Sequence, residues 1–193
     1  MREVVGSFIE LKNVDSVIRR ERKIHPRWRQ VVNVLLIIPT GRALCLCVAE
    51  GAIKDQRLNL SPIQGGIEVD EQLNDAAKRE VDEEVSVGLA GDVVYLGSVL
   101  RILPPDHRHA IEFDKCHHHW VAAFSASYHL QPQPPQAVAR WHYFDTLEDA
   151  AQTPMSTAKA TMFNAARAKL VSVSDNTYLI DHKRFGLSVA QAA

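Results

Sequence analysis

Cysteine, long apolar runs and net charge are all scarce in this chain of 193 residues, and each shortage excludes a class of protein. Its three cysteines are an odd number, which argues against a disulfide framework. Cys45 and Cys47 stand two residues apart in an apolar run, so on a strand they share one face. We expect buried thiols there rather than a metal pair.

The apolar runs are short. None approaches the roughly 18 to 20 residues that a membrane-spanning helix needs. The first residues, MREVVGSFIELK, also lack the apolar core of a secretory signal. We therefore expect a cytoplasmic protein that has no membrane partner.

The net charge is only −1, because 22 Lys and Arg are balanced by 23 Asp and Glu, so a bulk polyanion binder is not expected. A hydrophobic content of 46% suits one domain with a well-buried core. Basic residues are nevertheless concentrated from Arg19 to Arg29, where six cationic side chains accompany one glutamate and Trp28. This segment is either a solvated basic face or a surface that contacts phosphates and stacks Trp28 on a base.

Three carboxylates form the most informative pattern. The sequence predicts a helix over Gln72 to Val85, and on it Glu80, Glu83 and Glu84 stand at i, i+3 and i+4, on one face. We call these three residues the acidic cluster. Like charges so placed repel, so the cluster needs a compensating cation, and hard oxygen ligands indicate Mg²⁺ or Mn²⁺. From spacing alone, a solvated acidic face is the alternative.

The segment around this cluster resembles the Nudix box, the signature of the Nudix hydrolases. The matching positions are Gly65, Glu71 after five residues, Arg79-Glu80-Val81 after seven more, Glu83-Glu84 and Val87. One position departs from the box, because Ser86 stands where the family has glycine. That glycine ends the box helix in the left-handed conformation, so either Ser86 adopts it at a modest cost or the helix runs on to Gly88. Neither change removes a carboxylate, so we expect activity to survive.

The resemblance implies cleavage of a diphosphate by water with the help of a divalent cation. In this interpretation the acidic cluster and the carbonyl of Gly65 hold Mg²⁺ or Mn²⁺, while Arg79 and Glu71 pair to orient the helix. Gly65 and Gly66 are expected to form a tight turn that brings backbone close to metal or phosphate. The residues expected to take part in catalysis are Glu80, Glu83, Arg79 and, as general base, Glu112; Asp106 and Asp114 are alternatives for the base.

The run from Lys115 to His119, KCHHH, bears on substrate and metal. Zinc binding is not expected, because adjacent residues on a strand point to opposite faces and no further ligand has zinc-finger spacing. We expect Lys115, His117 and His119 to contact substrate, since they enter a strand beside the expected cleft. The segments SPIQGGIE and KCHHHWV are similar in sequence to the Nudix branch that hydrolyses diadenosine polyphosphates and 5′-triphosphorylated RNA. They depart from it in one respect, because that branch usually has proline directly before Gln-Gly-Gly, whereas here Ile63 separates Pro62 from Gln64.

Other substrates stay open, because specificity lies in loops outside the box. They are ADP-ribose, nucleotide sugars, dinucleotide coenzymes and damaged nucleoside triphosphates. A different class is a Nudix-fold binding or regulatory module that no longer hydrolyses. Such modules commonly lose box glutamates, whereas this chain keeps all four. A homodimer is compatible with the family, and the sequence does not indicate its interface.

The flanking pattern predicts mixed α and β structure, and the resemblance implies an α/β fold, an α/β/α sandwich around a mixed sheet. One domain is expected over residues 1–193, with a core at about 28–170, a basic N-terminal extension and a C-terminal tail. The predicted strands are Gln30 to Ile38, Ala43 to Val48, Leu58 to Ile63, Asp92 to Ile102, His118 to Ser127 and Val138 to Phe144. A final amphipathic helix is predicted from Ser156 to Leu170.

Overall fold

The computed structural model of the protein describes residues 4–37, 43–48, 60–105, 107, 109–126, 138–144, 161–166 and 168–169. The strands and helices in chain order are β1 (Val4–Val5), α1 (Val14–Ile24), β2 (Trp28–Ile37), β3 (Ala43–Val48), β4 (Leu60–Ser61), β5 (Ile63–Gly66), α2 (Leu73–Val85), β6 (Val94–Ile102), β7 (Lys115–Phe124) and β8 (Val138–Phe144). Residues 161–166 are also helical. Among the described helices, none is long and apolar enough to cross a membrane.

The strands form one mixed sheet in the order β1-β6-β7-β2-β3-β4, while β5 also pairs with β2 and β8 with β3. Strands β2 and β7 are parallel over their whole length, and the other described pairings are antiparallel. Both central strands are buried along most of their length. Burial on both faces explains why their sequences, VVNVLLI and WVAAF, are nearly continuous apolar runs.

Helices cover both faces of this sheet, which confirms the predicted α/β/α sandwich. Alternate residues of β2 point to opposite faces. Val32, Val34 and Leu36 join one core cluster with Ile18 of α1 and the apolar face of α2. Leu35 and Ile37 join a second cluster, which includes Met162, Phe163 and Ala166 of the C-terminal helical segment.

Helix α2 begins one residue after the predicted start and ends where predicted. Its buried residues recur at helical spacing and are Leu73, Ala76, Ala77, Glu80, Val81 and Val85. Ser86 follows with φ 48° and ψ 48°, the left-handed conformation expected at this position, and its N–H donates to the carbonyl of Asp82. The helix does not run on to Gly88, so the serine itself ends it.

Three predictions about neighbouring segments differ from the structure. Gly65 and Gly66 do not form a turn, because they lie in β5 and pair with Val32 and Val31 of β2. Neither glycine has a positive φ. Strand β7 begins at Lys115 rather than His118, since it pairs with β2 from Trp28 onward. The expected strand over Leu58 to Ile63 is divided, with β4 at Leu60–Ser61 and β5 starting at Ile63.

The remaining boundaries shift by a few residues or lie outside the described part of the chain. Strands β3 and β8 have the predicted bounds, while β6 starts two residues late, at Val94. Within the final predicted helix the described residues are helical, and its two ends fall outside them. Asp106, the C-terminal tail and the side chains of Cys45 and Cys47 also lie outside the described residues.

Helix α1 was not predicted, and it occupies much of the basic N-terminal segment. In its sequence, VDSVIRRERKI, Val14, Val17 and Ile18 have helical spacing, but most residues are charged and only Ile18 is buried, so the segment was interpreted by its charge alone. The side chain of Asn13 caps its start by accepting a hydrogen bond from the N–H of Ser16. The N-terminal extension is therefore partly an ordered helix that packs on the sheet.

Candidate metal and active site

Gly65 and Glu80 form the base of the candidate site. The side chain of Glu80 turns inward from α2, and the residue is only 7% exposed. Its carboxylate lies where a side chain at position 65 would be, because a Cβ there would stand 1.9 Å from Oε1 of Glu80. The close approach expected of Gly65 is therefore present, although it occurs within a strand.

Glu84 is the second inward carboxylate of the acidic cluster. Its Oε2 is buried and has no hydrogen-bond partner among the described residues. Burial, together with the charges of Glu80 and Glu83, raises the pKa of Glu84 to about 8, against a backbone hydrogen bond from Gln64 that lowers it. Burial also raises the pKa of Glu80. Burial therefore disfavours the ionised form of both carboxyl groups, although Arg79 offsets part of this effect at Glu80.

Arg79 supplies one positive charge and connects the helix to the preceding loop. Its guanidinium donates to both carboxylate oxygens of Glu71, at 2.9 and 3.0 Å, which forms the predicted pair. It also donates to the carbonyl of Gly66 at 2.8 Å and to Oε1 of Glu80 at 2.7 Å. Hydrogen bonding to Glu71 raises the pKa of Arg79 and lowers that of Glu71. The pair is largely shielded from solvent, so it fixes geometry better than an exposed ion pair would.

The third member of the cluster, Glu83, lies at the solvent side. Its side chain is 57% exposed and its Oε2 stands 3.4 Å from Nη1 of Arg79. Among the described residues, no group of three or more His, Cys, Asp or Glu side chains is close enough together to hold a metal ion as it stands. The arrangement is instead open, with two inward carboxylates and one at the rim.

This arrangement fits a hard divalent cation. The unpartnered Oε2 of Glu84 and the carboxylate of Glu80 against Gly65 place excess negative charge in a partly desolvated position. Carboxylate and carbonyl oxygens are the ligands that Mg²⁺ and Mn²⁺ prefer, and Mg²⁺ keeps several waters, so an open site suits it. Glu80 and Glu84 offer such oxygens from inside the site, whereas Glu83 lies in solvent at its rim.

Glu112 lies in the turn that precedes β7. Its N–H donates to the carbonyl of His109 at 3.2 Å, and its side chain is exposed. No described hydrogen bond or ion pair joins it to the acidic cluster. Asp114, the alternative base, is bound by Arg27 at 2.7 Å, which lowers the pKa of the aspartate.

The histidines expected to contact substrate lie beneath α1. Nδ1 of His117 is 2.6 Å from Oε2 of Glu21. His119 is fully buried, with Nε2 donating to Oε1 of Gln30 at 2.7 Å and Nδ1 accepting from Ser98 at 2.6 Å. Burial holds the pKa of His119 well below its usual value. The expected contact with substrate is thus not favoured at either position, since the strand register turns both rings toward the helix.

Lys115 is more open, at the start of β7. Its Nζ lies 4.7 Å from the ring centroid of Trp28, a cation–π contact. The ring of Trp28 also stacks on His25 at a centroid distance of 4.0 Å. The tryptophan that was considered for base stacking is therefore already packed against two side chains.

Two residues of α1 contact this site and were not identified from the sequence. The guanidinium of Arg22 donates to the carbonyls of Ile67 and Glu68. Asp15 accepts a hydrogen bond from the N–H of Leu73 at 2.8 Å. Each contact joins residues that are 45 or more positions apart in the sequence, so no local sequence pattern predicts it.

A known protein family matches most of this chain. The model of the NUDIX domain family matches residues 27–166 of the chain. A comparison with curated protein sequences finds no match.

Solved structures with the same fold include two hydrolases and a MutT protein. The pyrophosphohydrolase BsRppH of Bacillus subtilis superposes with a TM-score of 0.56 at 18% identity, covering 90% of this chain and 98% of that chain. A hydrolase of ADP compounds gives 0.56 at 16% identity, covering 77% and 76%. The MutT protein of Methanosarcina mazei gives 0.52 at 14% identity, covering 76% and 95%. Identities this low establish the fold alone.

Proposed function

The chain belongs to the Nudix family of hydrolases, which act on pyrophosphate bonds, and we propose that it uses Mg²⁺ or Mn²⁺ to cleave the diphosphate linkage of a nucleoside diphosphate derivative. The observation that carries this proposal is the buried, unpartnered Oε2 of Glu84 beside the inward carboxylate of Glu80. Arg79 offsets only part of the negative charge of these buried carboxylates, and a bound divalent ion would offset the rest.

Each residue has a role in this proposal. Glu80, Glu83 and Glu84, with the carbonyl of Gly65, hold the ion, which when bound neutralises charge on the diphosphate and makes water a better nucleophile. Arg79 is kept in place by Glu71 and the carbonyl of Gly66, and so orients Glu80. Glu112 is our candidate for general base, because it lies in the turn before β7 and its exposed carboxylate has no described partner.

We also propose a class of substrate. We favour a dinucleoside polyphosphate or the 5′-triphosphate end of RNA, because the sequences just before the box and on β7 are similar to those of the Nudix branch that hydrolyses these compounds. The B. subtilis pyrophosphohydrolase also covers most of this chain in superposition. ADP-ribose or a nucleotide sugar is the second candidate, supported by the likeness to a hydrolase of ADP compounds. Retention of all four box glutamates argues against a binding module without activity.

A substrate panel tests the proposal. It should contain dinucleoside polyphosphates, ADP-ribose, nucleotide sugars, nucleoside triphosphates and 5′-triphosphate RNA, each with Mg²⁺. Glu84→Gln is the informative variant, and Asp82→Asn is its matched control, because Asp82 is an exposed carboxylate on the same helix. We expect one class to be hydrolysed far faster than the others, with the rate lowered by about 100-fold or more in Glu84→Gln alone. Folded protein that cleaves nothing, or equal rates in all three proteins, would contradict the proposal.

A further inference from the structure

Helix α1 presents charged side chains, rather than an apolar stripe, to the body of the protein. Asp15, Ile18, Glu21 and Arg22 lie on the same side of the helix, and of these only Ile18 is a buried apolar residue. Each of the three charged residues has a specific partner elsewhere in the fold. The helix is thus attached to the rest of the fold mainly by specific polar contacts, and it buries little apolar surface.

Arg22 reaches the segment between β5 and α2, residues 67–72, which we call the box loop. Its two terminal nitrogens donate to consecutive carbonyls, those of Ile67 and Glu68. Within the same loop the N–H of Glu68 donates to Oε2 of Glu71 at 2.8 Å, and Glu71 binds Arg79. Arg22 is therefore linked through the backbone of Glu68 to Glu71, and so to the pair of Glu71 and Arg79 that orients the acidic cluster. A planar fork can bind two carbonyls in fixed geometry, which a lysine ammonium cannot do.

Asp15 acts at the other end of the box loop. Gln72 is the N-cap of α2 and makes no capping hydrogen bond with its own side chain. Oδ1 of Asp15 supplies one instead by accepting from the N–H of Leu73 at 2.8 Å. A carboxylate at a helix N-terminus also interacts favourably with the helix dipole. Both ends of the box loop are thus held from α1.

The helix itself is fixed to the sheet through a chain of hydrogen bonds. Glu21 accepts from the side chain of Gln30 at 3.1 Å and meets His117 at 2.6 Å. Gln30 in turn accepts from His119, which accepts from Ser98 on β6. Satisfied buried polar networks of this kind rigidify the elements they join. The helix that carries Asp15 and Arg22 is therefore itself fixed to the sheet.

We propose that α1 is a clamp for the box loop, with Arg22 and Asp15 as positioning residues that hold Glu71 where it binds Arg79 and thereby preset the acidic cluster for the divalent ion. The role of the clamp in metal binding rests on the proposed function. The clamp itself is a property of the metal-free protein, so it can be measured separately. Positioning matters because a displacement of about 1 Å can cost about 100-fold in rate.

Three variants test the clamp. Arg22→Ala removes both carbonyl contacts, Arg22→Lys keeps the charge but loses the fork, and Arg20→Ala removes the same charge from an exposed position on the same helix. Asp15→Ala tests the other end of the loop. Thermal unfolding should first establish that each variant is folded at the temperature of the measurement.

The primary readout is amide hydrogen exchange of residues 67–72 without metal. We expect exchange in Arg22→Ala and Asp15→Ala to be about tenfold or more faster than in the parent protein, Arg22→Lys to share most of this change, and Arg20→Ala to show none. The dissociation constant for Mn²⁺ should rise about tenfold in Arg22→Ala. The value of kcat should fall about 10- to 100-fold while KM changes less than about threefold.

The outcomes separate the two proposals. Equal exchange in Arg22→Ala and Arg20→Ala would overturn the clamp whether or not the protein is active. Faster exchange with unchanged Mn²⁺ affinity and unchanged kcat would overturn the positioning role. Parent protein that binds no Mn²⁺ and cleaves no substrate would instead overturn the proposed function, while the exchange measurement still decides the clamp.

Discussion

The carboxylate of Glu80 occupies the space where a side chain at Gly65 would lie, with a Cβ at that position only 1.9 Å from Oε1. Gly65→Ala should therefore displace the carboxylate, and because the end of a flexible side chain moves rather than backbone, stability should change little. We expect kcat at saturating substrate to fall about 100-fold and the Mg²⁺ requirement to rise.

Gly88→Ala is the matched control for this change, since a Cβ at Gly88 meets nothing within 4 Å. It should leave kcat and the Mg²⁺ requirement as they are in the parent protein. If Gly65→Ala retained parental kcat in a Mg²⁺ titration, the contact between Gly65 and Glu80 would have no part in activity.

Arg79 and Glu71 should act as a unit. Their side chains are 25% and 14% exposed and share two hydrogen bonds, so either substitution alone leaves a partly buried charge without its partner. We expect Arg79→Ala and Glu71→Gln each to lower stability, and the double variant to lose less than the sum by about 1 to 2 kcal/mol. Urea unfolding of the four proteins in the cycle measures this coupling. Additive losses would mean that the pair contributes no mutual stabilisation.

Ser86 carries a conformational cost that glycine would remove. Its φ of 48° lies in the left-handed region, which glycine adopts freely. We expect Ser86→Gly to raise the free energy of unfolding by about 0.5 to 1 kcal/mol, and Ser86→Ala to bring no gain. Thermal melts of the three proteins provide the measurement. Destabilisation by glycine would show that the hydroxyl, 3.4 Å from the carbonyl of Asp82, outweighs the backbone term.

The buried state of His119 predicts a loss of stability in acid. Its pKa in the folded protein is held below the usual value, so the unfolded chain binds the proton first as the pH falls. The stability that this residue contributes is complete above about pH 6.5 and is lost progressively as the pH falls below that value. His119→Gln should therefore make the free energy of unfolding less dependent on pH in this acidic range. A parallel profile for the variant would disprove the assignment.

Much of the candidate site was predictable because its residues are local in sequence. The acidic cluster and Arg79 lie on α2 at helical spacing, and Glu71 lies just before the helix, within reach of Arg79. The conformation of Ser86 was predictable for the same reason, because a helix end is a local event. The Gly65-Gly66 pair was misinterpreted, since adjacent glycines signal a turn unless a neighbouring strand is available, and here β2 pairs with them.

What the sequence did not reveal depends on contacts between distant residues. Helix α1 buries one apolar residue and is held by polar bonds to segments far along the chain, and no sequence pattern shows which partners those bonds have. The register of β7 against β2 likewise decides that His117 and His119 face α1. Three consecutive histidines carry no information about which of them a helix will cover.

The location of a bound ion is the most direct test of the central claim. Crystals grown or soaked with Mn²⁺ should be measured for anomalous scattering. We predict a peak within ligand distance of the carboxylates of Glu80 and Glu84 and the carbonyl of Gly65, with Glu83 turned toward it, about 2.0 to 2.3 Å from the ligand oxygens. A catalytically active protein whose Mn²⁺ peak lies elsewhere, with these carboxylates uncoordinated, would contradict the metal assignment.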